Sequence, residues 1–158
     1  MNLYVINNTQ WNCPDVFMTW LFSTLRDHLE SLGVNTEGLD KELGVVFVEH
    51  QDMLALNTTY RGKHYATDVL SFAMDGGVLG EIVLCPDVIV KQAEEHDLHQ
   101  AEELAYLFLH GILHLLGFDH EQDTQRAAEM FHIQDKVFDL LLSEDIVEIF
   151  SKSLVKSI

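Results

Sequence analysis

Apolar residues recur along this chain in two rhythms, and the switches between them mark out its elements. Val16, Phe17, Trp20, Leu21, Leu25, Leu29 and Leu32 fall three or four apart, the spacing that gathers side chains onto one face of a helix. Pro14 before the run and Gly33 after it open and close helices, so a helix is predicted from about Pro14 to Leu32. Leu3-Tyr4-Val5-Ile6, ending at Asn7-Asn8, reads as a short buried strand followed by a turn, and Leu43 to Val48 as a second strand. Val69 to Ala73 and Leu79 to Leu84 are two more, joined through Asp75-Gly76-Gly77, a turn signal that suits a hairpin and makes at least one pair antiparallel. Further helices are predicted from Gln51 to Thr58, Pro86 to about Glu95, Gln100 to Leu116 and about Asp123 to Leu142. The Gln100 to Leu116 segment is apolar on nearly all sides through Leu104, Leu107, Phe108, Leu109, Ile112 and Leu113, which predicts a central buried helix. Residues 143–158 are weakly amphipathic and read as a peripheral tail. One α+β domain over residues 1–158 follows, with a mixed four-stranded sheet packed by about five helices.

The end of the central helix carries the candidate chemistry. His110 and His114 stand four apart, which on a helix puts both imidazoles on one face within reach of one ion. Gly117 stands where a left-handed residue would end the helix and turn the chain back, and His120 follows as the third expected ligand. This HxxxHxxGxxH spacing is that of zincin-like hydrolases of the long-motif metalloprotease type. Those enzymes carry Glu after the first His as general base, whereas this chain has Gly111. Three neutral nitrogen donors leave a coordination position open, as catalytic zinc sites do. One Zn2+ per chain is expected, although imidazole suits other divalent transition metals too. Such an ion lowers the pKa of a bound water to about 7 and would supply the base that Gly111 does not. Asp119 and Glu121 flank His120 and read either as outer-sphere acceptors or as solvated loop carboxylates.

Size and charge limit what the chain can work on. At 158 residues it can bury about 70% of its unfolded surface and needs no staples. No apolar run is long enough to span a bilayer. Two cysteines and an N-terminus with neither a basic region nor a long apolar core predict free thiols in a reducing cytoplasm. A net charge of −17, with only nine Lys and Arg, repels nucleic acid in general. The cluster Arg61-Gly62-Lys63-His64 is the local exception, readable as ordinary surface charge or as a phosphate-binding loop.

Three segments taken together, Asn57-Thr58-Thr59-Tyr60-Arg61, Thr67-Asp68-Val69-Leu70-Ser71-Phe72 and His110 through His120, resemble the YbeY family of bacterial endoribonucleases, the rRNA maturation factors. The resemblance runs from roughly Leu3 to Leu142. It implies a single-strand-specific, metal-dependent endoribonuclease that matures ribosomal RNA, including the 3′ end of 16S rRNA, and takes part in ribosome quality control. It also implies zinc on His110, His114 and His120, with Arg61 in the cleft as a residue needed for cleavage. Arg61 and His114 are thus the expected catalytic residues. Lys63 and His64 would join Arg61 in holding substrate phosphates, and Asp68 and Asp119 would support the ligands. The plainer reading of Asp68 is a turn cap, with the supporting role as the functional alternative. Expected partners are ribosomal RNA and the ribosome or a ribosomal protein that delivers it, with no DNA and no membrane. The chain departs from the family pattern at Ala73 in place of Pro, Glu81 in place of Asp and Gln134 in place of Glu, and no chemistry is assigned to these positions.

Two other readings remain at this stage. The ligand spacing alone suggests a metalloprotease-like hydrolase, which Gly111 opposes. A noncatalytic, metal-stabilised adaptor would instead use a closed metal site to hold the fold and its acidic surface to bind a basic partner.

Overall fold

The computed structural model describes residues 2–118 and 124–156, with side chains to residue 154. Along the chain lie β1 (Leu3–Asn7), α1 (Asp15–Ser31), a short 3-10 turn, β2 (Glu42–Phe47), α2 (His50–Arg61), β3 (Val69–Ala73), β4 (Val78–Leu84), α3 (Pro86–Glu95), α4 (Gln100–Leu115), α5 (Thr124–Leu142) and α6 (Ile146–Lys156). The four strands form one mixed sheet in the order β1-β2-β4-β3. β1 and β4 both run parallel to β2, while β3 and β4 form the antiparallel hairpin that Asp75-Gly76-Gly77 predicts.

Alternation along the strands sorts side chains onto two faces. Leu43, Val45 and Phe47 of β2, with Ile82 and Leu84 of β4, enter the main core beneath α1, α4, α5 and α6. On the other face Leu70 of β3 and Val83 of β4 meet Met53 of α2, together with Cys85. β1 is an edge strand. Pairing on one side only leaves it half-buried, and Ile6 is 44% exposed, so the buried strand read from its apolar run is corrected by its place in the sheet.

The central helix is as expected. Leu104, Ala105, Phe108, Leu109, Ile112 and Leu113 of α4 are all fully buried. Its start is tied by a reciprocal cap: the Ala101 N–H donates to His99 Nδ1, and the His99 N–H donates to Glu102 Oε1. One turn on, the buried Glu103 carboxylate takes both oxygens to 3.0 Å from His96 Nδ1. That hydrogen bond and charge raise the pKa of His96 above its ordinary value, with weaker help from Glu95 and Asp68. A raised histidine stabilises the fold fully below its unfolded value, about pH 6.5, and the contribution is lost as pH rises through the folded value. Thermal melts of wild type and His96→Ala should therefore differ most below about pH 6, and the gap should narrow in mild alkali to what the neutral hydrogen bond to Glu103 contributes. A gap that grew with pH would contradict this pairing.

The C-terminal segment differs from its expectation. Residues 146–156 form α6, making six α-helices among the described residues rather than five, and they pack inward. Ile146 and Phe150 are 2% and 1% exposed, and the Phe150 ring meets Phe17 at 5.0 Å, His99 at 6.0 Å and Trp11 at 6.1 Å. The expected peripheral tail becomes part of the core because the surface that covers it comes from Trp11, Phe17 and His99, all remote from it in sequence.

Candidate active site

Two features of α4 set the site. The first is its end. The Gly117 N–H donates to the His114 carbonyl and the Phe118 N–H to the Leu113 carbonyl, both at 3.0 Å, with Gly117 at φ +103°. This Schellman arrangement stops the helix where the motif predicts. The second is Gly111, whose missing side chain lets α4 lie close on the sheet. A Cβ there would stand 3.0 Å from Ile82 Cδ1 and Cγ2, inside ordinary carbon contact distance of about 3.5–4.0 Å. Position 111 therefore faces the core, away from the imidazoles one residue before and three residues after it.

His110 and His114 sit one turn apart on the half-buried side of α4, with ring centroids 4.7 Å apart and planes at 70°. Both line a cleft of about 340 Å3 that also receives Arg61, Lys63, Tyr65 and Asp68. The basic residues arrive through the end of α2. Gly62 adopts φ +67° as the left-handed cap, its N–H donating to the Thr58 carbonyl while the Lys63 N–H donates to that of Asn57. Asn57, 2% exposed, then donates through Nδ2 to the Tyr65 carbonyl at 2.8 Å. The loop from 62 to 65 is thereby fixed against the helix, aiming Arg61 and Lys63 across the cleft from the imidazoles. Neither forms an ion pair among the described residues, whereas Arg26 is engaged by Glu30 and Asp40, and Lys152 by Glu148. Two cations that no described carboxylate engages thus face one cleft in a chain of net charge −17.

The other expected site residues are placed as follows. Asp68 lines the cleft, but its Oδ1 accepts from the Val69 N–H at 2.7 Å and the Thr67 hydroxyl at 3.2 Å. It caps the start of β3, and no hydrogen bond or ion pair joins it to Arg61 or to an imidazole among the described residues. His64 is exposed beside Lys63 and is not part of the cleft lining. His120, Asp119 and Glu121 lie outside the described residues. Among the described residues no three metal-binding side chains converge. Cys13 and Cys85 are buried away from the cleft, and burial with the nearby Asp15 charge pushes the Cys13 thiol up to about 12, which keeps it protonated and a poor ligand.

Sequence reasoning missed one residue at the heart of the site. Gln134 of α5, wholly buried, sets its Oε1 3.1 Å from His110 Nδ1. An amide oxygen only accepts, so in this orientation of the amide the contact is an Nδ1–H donating to Oε1, the tautomer that leaves Nε2 as the donor atom for an ion. The Gln134 Nε2 has no hydrogen-bond partner among the described residues. A signal was present in the sequence: Met130, Gln134, Val137 and Leu141 form the buried stripe of α5, and a lone amide in an apolar stripe requires a polar partner. Glu81, by contrast, accepts from the Tyr4 hydroxyl at 2.9 Å over Gly44, where a Cβ would collide with the Tyr4 ring. It does not line the cleft.

This donor set suits a transition metal: paired imidazoles on one helix face, one of them held in the metal-binding tautomer from behind by a buried amide. Comparison with known proteins points the same way as the sequence. A family model described as endoribonuclease YbeY matches residues 5–141. An endoribonuclease YbeY from Bdellovibrio bacteriovorus is 42% identical over 146 residues, covering 91% of this chain and 97% of the relative. One from Macrococcus caseolyticus is 40% identical over 114 residues, covering 64% and 73%. Among solved structures, the solution structure of TM1509 from Thermotoga maritima superposes with a TM-score of 0.63 at 28% identity, covering 90% of each chain.

Proposed function

Because this chain belongs to the endoribonuclease YbeY family and is an endoribonuclease, we propose that it cuts single-stranded RNA at the cleft between α2 and the end of α4, using one zinc ion, in the maturation and quality control of ribosomal RNA. The observation that carries the reading is the facing of Arg61 and Lys63 against the His110–His114 pair in one cleft. His110, His114 and His120 would hold the ion, which when bound would supply Lewis acidity and a base at neutral pH. Arg61 holds the scissile phosphate with a planar, two-pronged donor set and meets the charge that grows on it during cleavage. Lys63 neutralises a neighbouring phosphate as a point charge. Asp68 keeps the start of β3 in place beside them. The metalloprotease reading loses support on packing as well as chemistry, since position 111 points into Ile82.

The rest of the surface restricts how RNA arrives. With the remaining charge so negative, naked RNA should bind weakly, and a ribosomal partner in the cytoplasm is the proposed source of substrate. The test is to strip the protein of metal, restore zinc, and offer single-stranded RNA, duplex RNA and an unstructured protein. One zinc per chain and cleavage of single-stranded RNA alone is the expected result. Proteolysis, or RNA cleavage indifferent to metal, would overturn the reading. A protein that unfolds on losing its metal would favour the adaptor.

Gln134 supplies a narrower prediction. Gln134→Leu removes the acceptor behind His110 and should weaken zinc binding by about 10- to 100-fold. Its effect on the metal-free fold should be small, because the His110 Nδ1–H that loses its acceptor is offset by removal of a buried amide N–H without a partner among the described residues. Gln134→Glu should bind zinc more tightly. Competition against a chromophoric chelator measures both, and equal affinities in all three proteins would remove Gln134 from the site.

A further inference from the structure

We infer that Tyr65 is a stacking platform for a nucleobase next to the phosphate held by Arg61, an inference that rests on the single-stranded RNA reading above. Tyr65 lines the cleft beside Arg61, Lys63, His110 and His114, yet it is 55% exposed. Its ring makes no hydrogen bond or ring contact among the described residues. Tyr60, in the last turn of α2, is the instructive contrast: it too is exposed, but its ring closes edge-on against Phe72 at 5.1 Å. Tyr65 therefore presents an aromatic face to solvent within a polar, cationic cleft.

The backbone beneath that ring is held. The buried Asn57 amide donates to the Tyr65 carbonyl, and the Thr58 hydroxyl and the Asn57 carbonyl bind Lys63 from the same helix. A loop whose backbone is restrained at both of these residues fixes the point from which the ring projects, beside the two cations. Charge chooses the occupant. Two cations without an ion pair among the described residues, sharing a cleft with a bare aromatic ring, match the alternation of phosphate and base in an unpaired strand, where the sugar-phosphate chain lies on the cations and a base lies on the ring. A duplex keeps its bases stacked inside and offers nothing to the ring, so Tyr65 also gives a physical basis for preferring single strands.

The test measures binding with metal removed by chelator, so that no RNA is cut and zinc affinity plays no part. The probe is a fluorescently labelled single-stranded RNA carrying a site that the zinc-loaded wild type cleaves. It is compared with copies in which each nucleotide flanking that site in turn lacks its base. Tyr65→Ala should weaken binding of the intact strand by about 5- to 100-fold, and Tyr65→Phe by less than about twofold, since stacking needs the ring and not the hydroxyl. At one abasic position the wild type and Tyr65→Ala should bind alike. Undiminished binding by Tyr65→Ala, or the same deficit on every abasic copy, would overturn the subsite while leaving the nuclease reading intact. A wild type that binds and cuts no single-stranded RNA would sink both.

Discussion

Arg61→Ala should cleave RNA about 10²- to 10³-fold more slowly than the wild type while keeping its fold and its metal, the size of effect expected when one preorganised electrostatic donor is lost. Two features make the variant clean. Arg61 is exposed and forms no ion pair among the described residues, so its removal leaves no buried charge behind. It is also the last residue of α2, followed by the Gly62 cap whose hydrogen bonds are made by backbone atoms, so alanine keeps the loop in place. Arg61→Lys should recover only part of the rate, because an ammonium cannot reproduce the two-pronged geometry. If Arg61 also contacts phosphate in the ground state, the slope of log affinity against log salt should fall by roughly 0.7 in Arg61→Ala. Single-turnover cleavage and a salt titration read both quantities. Normal cleavage by Arg61→Ala would remove the residue from the mechanism.

His114→Ala should lose zinc affinity by more than about 100-fold and cleavage with it, since even the outer partners of metal ligands cost 10- to 100-fold when removed. The substitution sits in the last turn of α4 on its half-buried side, where alanine favours the helix more than histidine does. The metal-free variant should therefore melt close to the metal-free wild type. That pair of measurements separates a catalytic centre from a structural one. Equal zinc content in wild type and variant would contradict the proposed ligand set.

How much of this could be read in advance depended on the range of the interactions involved. The period of apolar residues located α1, α4 and α5 to within a residue or two, and Asp75-Gly76-Gly77 marked the β3–β4 hairpin, because helical faces and tight turns are encoded by neighbours. The same local reading placed β1 in the core, since Leu3 to Ile6 looks alike whether a strand is flanked on one side or on two. α6 was missed because its burial depends on Trp11, Phe17 and His99, which no window around Phe150 contains. In the site, His110, His114 and Gly117 were legible from spacing alone. Gln134 was not, since a glutamine on one helix meets a histidine twenty-four positions earlier only after both have packed. Asp68 carried two readings, and its hydrogen bonds to Val69 and Thr67 accord with the cap.

The glycine behind the first imidazole has a bearing on how such centres change over time. Installing an acidic side chain at residue 111 would not convert this nuclease into a peptidase in one step, because the new group would be driven into the aliphatic wall formed by Ile82 before it could reach a substrate. Ile82 would have to give by a few tenths of an ångström for any side chain there, and the group would still point at the sheet and not at the imidazoles. The kinship of motif between the two kinds of hydrolase is therefore closer on paper than in space, with volume as the barrier between them.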